Sequence, residues 1–199
     1  MSFGLCSASQ RLRSGDLLFV KSSGSAMSEA ISESTSRNDS VSFVHVAIYY
    51  EDESGAQKVI EADTDKGVCI TAFDEFVVEN KKSSGEEGLV IKRLNISFNP
   101  EDVINRAMTF IGQPYDWWYL PDNGRMYCSE LIYESFIDEK GGHIFRSGPM
   151  NFRSADGTMP KFWEDLYRKI GIDVPEGLPG TNPNDLSKDP RLKEVKGFL

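Results

Sequence analysis

The chain has 199 residues, and its 31 acidic residues outnumber its 22 lysines and arginines, which gives a formal net charge of −9. Because nucleic-acid sites are basic, this balance predicts no nucleic-acid partner. Hydrophobic residues make up 39 % of the chain, as in globular domains, yet no run approaches the ~18 apolar residues of a transmembrane segment. The three widely spaced cysteines are typical of neither a disulfide framework nor a zinc site, so neither a metal nor a cofactor is predicted.

Residues 1–10 are expected to form an N-terminal tail. A short apolar stub followed by small residues is typical of the end of a signal peptide, which would make the protein exported, in the periplasm or at the envelope. The alternative is a plain tail of small residues on a cytoplasmic protein. Residues 11–199 are predicted to be a single catalytic domain.

Apolar runs rich in β-branched and aromatic residues predict five strands. They cover residues 15–20, 43–50, 58–62, 67–71 and 89–94. A polar turn that contains Gly55 joins the second and third runs, so these two are predicted to form a hairpin. A short helix is expected within residues 22–40, and the charged, glycine-containing residues 79–88 are expected to form a loop.

Three helices are predicted by capping residues and apolar stripes of helical period. They run from Asn99 to Gly112, from Cys128 to about Gly141, and from Pro160 to Gly171. Residues 172–199 are rich in Pro, Gly, Asn and Asp, with apolar residues spaced between them. This segment is predicted to be an ordered extension that wraps across the domain.

Cys128 is the strongest candidate for a catalytic residue. It stands at the start of a predicted helix, where free backbone N–H groups and the helix dipole favour a thiolate, so its pKa is expected to lie below that of a free thiol. A thiolate nucleophile needs a base, and the chain has only two histidines. His143 follows two glycines in a predicted loop, which leaves His45 as the candidate base.

His45 is predicted to face Glu61 across the hairpin. If the turn is centred on Glu53, residues 45 and 61 lie directly opposite each other on one face, with Cβ atoms about 4.5–5.5 Å apart. A carboxylate there would accept an imidazole N–H and stabilise the imidazolium. Two other interpretations stay open: His45 as a half-buried residue bonded to backbone, and Glu61 as part of an outward strand face.

The sequence resembles the YiiX/YebB-like permuted papain-fold amidases of the NlpC-type superfamily. The resemblance depends on the order of six short motifs. They are GDLLF at 15–19, VHVAIY at 44–49, VIEA at 59–62, GQPYD at 112–116, YCSELI at 127–132 and GTNP at 180–183.

This resemblance implies an α+β, circularly permuted papain-like (NlpC-type) fold, with a small antiparallel sheet or barrel packed against helices. It implies a bacterial cysteine amidase or peptidase that forms a thioester, with Cys128 as nucleophile, His45 as base and Glu61 as its orienter. Tyr115 matches a tyrosine near such sites and would contact the substrate or the oxyanion; it could equally pack at a proline turn. The aromatic residues 117–119 line the cleft or belong to the core.

The resemblance also implies a substrate, which would be a small peptide or amide, with a peptidoglycan-derived peptide of the cell envelope as the first candidate. Two alternatives remain. One is a lipid-directed thioesterase or acyltransferase on the same three residues, and the other is a non-catalytic binding module of the same fold.

Overall fold

The computed structural model describes residues 11–22, 24–36, 41–84 and 88–197, so the predicted N-terminal tail lies outside the described residues. These residues form an α+β fold. The strands are β1 (Leu17–Lys21), β2 (Phe43–Glu51), β3 (Gln57–Asp63), β4 (Gly67–Ala72), β5 (Leu89–Leu94), β6 (Gly148–Pro149), β7 (Pro179–Gly180) and β8 (Leu192–Glu194). The helices are α1 (Ala26–Thr35), α2 (Phe73–Ser84), α3 (Pro100–Met108), α4 (Cys128–Ser135), α5 (Lys161–Ile170) and α6 (Pro183–Ser187).

Six strands form one antiparallel sheet in the order β4-β3-β2-β1-β5-β8. The strands β4 and β8 are its edges, so the sheet is open, and of the two forms implied by the resemblance it is a sheet and not a closed barrel. The short strands β6 and β7 pair separately. No helix within the described ranges is long and apolar enough to cross a membrane.

The sheet is covered by α4 on one face and α2 on the other. Leu131 of α4 belongs to one buried cluster with Ile60 of the sheet. Phe76 of α2 belongs to a second cluster with Tyr49 and Val59. Because successive strand residues point to opposite faces, the neighbours Val59 and Ile60 contribute to different clusters. The sheet is therefore buried on both sides.

The helix α2 was not predicted, and the loop expected for residues 79–88 is wrong over its first part. Phe73, Phe76 and Val77 are buried at helical spacing, whereas the residues between them are polar. Asp74 and Glu75 stand in the first turn, where carboxylates interact favourably with the helix dipole. The packing of this stripe on the sheet stabilises a helix whose own sequence is mostly polar.

Two predicted helices end earlier than expected. The helix α4 stops at Ser135 and not near Gly141, because Phe136 leaves helical geometry and is fully buried beside α4. The helix α3 stops at Met108, and Ile111, which was expected to extend its apolar stripe, is 41 % exposed. The predicted helix before Gly171 is confirmed as α5, since Gly171 ends it in the left-handed conformation with φ of 80°.

The segment 172–197 contributes two contacts that matter for the site. β8 pairs with the edge of β5. Asn184 of α6 accepts a hydrogen bond from the backbone N–H of Phe43 (2.7 Å) and donates one to the Phe43 carbonyl (3.0 Å). The Asn184 amide thus occupies both backbone groups of Phe43, at the start of β2.

The register of the β2–β3 hairpin differs from the prediction. Ile48 pairs with Ile60 and Glu51 with Gln57, so the turn is centred on Ser54 and not on Glu53. Continued along the strands, this register places Ala47 opposite Glu61, and His45 is a diagonal neighbour of Glu61. Because the register differs from the predicted one by two residues, the side chains of His45 and Glu61 still lie on one face of the sheet and within reach of each other.

Candidate active site

Cys128 is the first residue of α4. The preceding residue, Tyr127, is the N-cap with extended backbone, and its N–H donates to the Glu130 carboxylate at 3.4 Å. Cys128 is 5 % exposed. Its N–H is one of the first N–H groups of a helix, which have no carbonyl partner within that helix. The sulfur therefore lies at the positive end of the helix dipole.

His45 and Glu61 meet where β2 and β3 separate. The paired residues end at Ile48 and Ile60, although β2 begins earlier, at Phe43, and β3 continues to Asp63. Across this gap His45 Nε2 lies 2.9 Å from Glu61 Oε2. The helix α4, which begins with Cys128, packs on these two strands.

Thr71 of β4 completes the hydrogen bonding of Glu61. Its hydroxyl donates to Glu61 Oε1 at 2.6 Å, and both residues are buried. Each carboxylate oxygen of Glu61 therefore has a partner, which fixes the plane of the carboxylate. The open alternative of an outward-facing Glu61 is wrong, since its side chain is 8 % exposed.

Burial works against a charged His45, but hydrogen bonds and electrostatic attraction from Cys128 and Glu61 outweigh it. The net effect raises the pKa of His45 from 6.5 to about 10. Because Nε2 is bonded to Glu61, Nδ1 is the ring nitrogen left for Cys128.

His143 lies elsewhere. It is exposed, its Nδ1 is 3.0 Å from the Tyr133 carbonyl, and its ring stacks on that of Tyr133 at 3.8 Å. The structure thus brings Cys128, His45 and Glu61 together and leaves His143 outside the site.

Tyr115 is buried near Cys128. Its hydroxyl lies 3.3 Å from that of Tyr119. Burial, together with the neighbouring Tyr119 and Cys128, raises the pKa of Tyr115, so it stays a neutral phenol that can donate a hydrogen bond. Tyr119 has a φ of 53°, a conformation that L-residues seldom adopt and that is concentrated at functional sites.

Asp116 stabilises the turn that contains Tyr119. It is fully buried, and its two carboxylate oxygens accept the N–H groups of Trp118 and Leu120, each at 2.9 Å. Neither Asp116 nor Thr71 was predicted from the sequence to support the site. Asp116 belongs to the GQPYD motif, and strand alternation places Thr71 on the same face as Cys69, the residue opposite Glu61.

Two adjoining cavities meet at this site and share Tyr115, Val44 and Ile31 in their walls. The larger, of about 260 Å³, is lined by His45 and Glu61. The smaller, of about 40 Å³, is lined by Cys128 and the aromatic residues Tyr119 and Trp163. The smaller cavity therefore adjoins Cys128, and the larger cavity adjoins the imidazole of His45.

The match to a family model decides the classification. Residues 11–196 match the model described as "Permuted papain-like amidase enzyme, YaeF/YiiX, C92 family". The chain belongs to this family. The resemblance stated from the motifs is thereby confirmed. Comparison with curated protein sequences gives no significant match.

A solved structure of similar fold supports the architecture described for this chain. The chain is similar to the crystal structure of metalloprotein yiiX from Escherichia coli O157:H7, with a TM-score of 0.74 and 20 % sequence identity over 94 % of this chain and 97 % of that one. The described residues contain no group of three or more His, Cys, Asp or Glu side chains able to share a metal ion. They do not fit a metal site of the kind that the word metalloprotein implies for that neighbour.

Proposed function

We propose that this protein is a cysteine hydrolase that cleaves an amide or peptide bond through a thioester on Cys128. The observation that carries the proposal is that His45 adjoins both partners: its Nε2 lies 2.9 Å from Glu61 Oε2, and Cys128 and Glu61 together raise the pKa of the ring. This is the relation of nucleophile, base and orienting carboxylate that acyl transfer requires.

In the first step the Cys128 thiolate attacks the carbonyl carbon of the substrate. The carbonyl oxygen becomes an oxyanion, and the backbone N–H of Cys128 can donate to it. The Tyr115 hydroxyl, neutral and buried near the sulfur, is proposed as a second donor. Tyr119 and Asp116 then act as positioning residues, since they hold Tyr115 without touching the reacting atoms.

In the second step the imidazolium of His45 gives a proton to the leaving nitrogen, and the C–N bond breaks. The amine departs and the acyl group remains on sulfur as a thioester. His45, now neutral, removes a proton from a water molecule that attacks the thioester. A carboxylic acid is released, and the thiolate and imidazolium are restored, with Glu61 stabilising the positive charge in each cycle.

The proposed substrate is a small peptide or amide of the bacterial cell envelope, with peptidoglycan-derived peptides first, and the protein is proposed to be exported. The motifs shared with envelope amidases and the signal-peptide-like residues 1–10 support this proposal. The family name supports an amidase and does not specify its substrate.

The test is turnover of a digest of peptidoglycan peptides, followed by mass spectrometry. Wild type and Cys69→Ser should release the same products, because Cys69 has no part in the mechanism. Cys128→Ala should release none, because it lacks the nucleophile. Acyl transfer from phospholipid with no action on peptides would favour the lipid-directed alternative. A folded protein with no turnover, whose Cys128 and Cys69 are alkylated equally fast, would instead indicate a binding module.

A further inference from the structure

The strand β2 is irregular directly before His45. Its register against β1 shifts by one residue between the pairs that contain His45 and Phe43, so Val44 is the extra residue of a β-bulge. The burial pattern agrees. Phe43 and Val46 are three residues apart, which places them on opposite faces of a regular strand, yet both belong to the buried cluster on the α4 side. Bulges of this kind re-aim the side chains beside them and are frequent next to active sites.

The backbone of Phe43 is held by a side chain and not by a strand. Among the described residues, β3 pairs with β2 only from Ile48 towards the turn, so it supplies no partner to the first residues of β2. Asn184 of α6 occupies this position: its Oδ1 accepts the Phe43 N–H at 2.7 Å, and its Nδ2 donates to the Phe43 carbonyl at 3.0 Å. A carboxamide carries the same donor and acceptor as a peptide group, so one side chain satisfies both backbone groups.

The orientation of the Asn184 amide is fixed by a third contact. Asn184 is 1 % exposed, and its Nδ2 also lies 2.7 Å from the Thr35 hydroxyl oxygen. The Thr35 hydroxyl donates its own hydrogen to the Ile31 carbonyl at 2.7 Å, so its oxygen is an acceptor for Nδ2. The amide therefore has only one arrangement that satisfies α1 and β2 together, and turning it over would break all three hydrogen bonds.

The helix α6 is attached to the sheet at other points as well. Lys92 of β5 donates from Nζ to the carbonyl of Ser187, the last residue of α6, at 2.6 Å. Leu186 is buried in the cluster on the α4 side. Loss of the Asn184 amide is therefore expected to release the start of β2 while α6 stays docked.

We propose that Asn184 is a positioning residue of the catalytic site. Its amide holds the bulge at Val44, and the bulge sets the place from which His45 reaches its two partners, Cys128 and Glu61. This assignment rests on the proposed function, because it treats His45 as the catalytic base. Without the amide, the two backbone groups that it binds need other partners, and the chain moves two residues before the imidazole. A misplacement of about 1 Å at a catalytic group can lower a rate about 100-fold.

The first measurement is an NMR titration of His45, which needs no substrate. Cys128 and Glu61 raise the pKa of His45 to about 10, so the midpoint reports how closely both approach the ring. In Asn184→Ala it should fall by about one unit or more, towards 6.5, because these contacts weaken. Lys92→Met is the matched control, since it removes a hydrogen bond at the other end of α6 and should leave the midpoint unchanged. A purely structural role would lower the melting temperature of both variants and move neither midpoint.

The second measurement is turnover of p-nitrophenyl acetate below the melting temperatures of all variants. The acetyl group passes to Cys128 with release of p-nitrophenolate, and then to water. In Asn184→Ala we expect kcat to fall about tenfold or more with little change in KM, because the described residues that line the two cavities do not include Asn184. Lys92→Met should keep the kcat of wild type. If Asn184→Ala does not fold, Asn184→Ser replaces it, since a serine has one polar atom and cannot bind both backbone groups as the amide does.

A wild-type midpoint of His45 in the folded Asn184 variant, or a wild-type kcat, would overturn the proposal. Equal losses in Lys92→Met would also overturn it, because they would indicate a general loosening of α6. If wild type turned over neither the ester nor a peptide, the proposed function would fall, whereas the two midpoints would still decide whether Asn184 positions His45. The two failures are therefore distinguishable.

Discussion

The role of Glu61 gives the sharpest prediction. Glu61→Gln keeps the size of the side chain and removes the charge that faces His45 Nε2 at 2.9 Å. The amide oxygen can still accept the imidazole N–H, and its NH₂ group can donate to Thr71, whose hydroxyl also accepts. The hydrogen-bond geometry is therefore expected to survive, and only the electrostatic part of the contact is lost.

The magnitude follows from the difference between charged and neutral hydrogen bonds. A bond to a charged group contributes about 1.5–3 kcal/mol and a neutral one about 0.5–1.5 kcal/mol, so roughly 1–1.5 kcal/mol of imidazolium stabilisation is lost. Since one pKa unit corresponds to about 1.4 kcal/mol, the pKa of His45 should fall by about one unit from its value of about 10. In deacylation, where neutral His45 takes a proton from water, the same free energy at the transition state lowers the rate of that step about tenfold.

The stability of the protein should respond to pH in a defined direction. A histidine whose pKa rises on folding stabilises the folded state fully below its unfolded value of 6.5, and this contribution disappears as the pH rises towards about 10. Wild type should therefore lose melting temperature between these pH values. Glu61→Gln should lose less, because it has less imidazolium stabilisation to lose.

The assay is an NMR titration of the histidine ring signals. The chain has only two histidines, so His143, which is stacked on Tyr133, is an internal reference in the same sample. Asp52→Asn is the matched control, since it removes a carboxylate from the turn of the same hairpin, where Asp52 pairs with Lys58. An unchanged His45 midpoint in Glu61→Gln, with turnover also unchanged, would refute the role assigned to Glu61.

Three further predictions concern other parts of the site. Iodoacetamide should label Cys128 faster than Cys69 at neutral pH, because burial and the charge of Glu61 raise the pKa of Cys69; equal rates measured by peptide mass spectrometry would contradict the assignment of the nucleophile. Tyr115→Phe should lower kcat about tenfold or more with little change in KM or melting temperature, as expected for an oxyanion donor, and a rise in KM alone would assign Tyr115 to substrate binding instead. Asn184→Ala leaves the backbone of Phe43 without its two partners and should cost about 1–3 kcal/mol in chemical denaturation, with an unchanged midpoint counting against this role.

Local chemistry in the sequence determined where several elements begin and what Cys128 could be. Asn99 and Pro100 specify the start of α3, and Cys128 at the first position of α4 follows from the polar residues and the apolar stripe after it. These signals act over one or two helical turns, so they can be interpreted without the rest of the chain. The motifs also sufficed to recognise the family.

Only the tertiary structure decided how His45 meets Glu61. The turn is centred on Ser54, so the pair is diagonal, and the separation of β2 from β3 provides the gap for it. Register depends on turn geometry and on packing against both sheet faces, and a displacement of two residues leaves the apolar pattern unchanged. A sequence pattern alone therefore cannot distinguish the two registers.

The same limit applies to the residues that come from distant parts of the chain. Thr71 reaches Glu61 from the next strand, and Asn184 reaches the start of β2 from the C-terminal segment. The sequence indicated a candidate nucleophile and a candidate base, because these depend on residue type and local context. The supporting side chains and the two cavities depend on contacts between segments far apart in the chain, and the free energy of those contacts arises only when the whole core is packed.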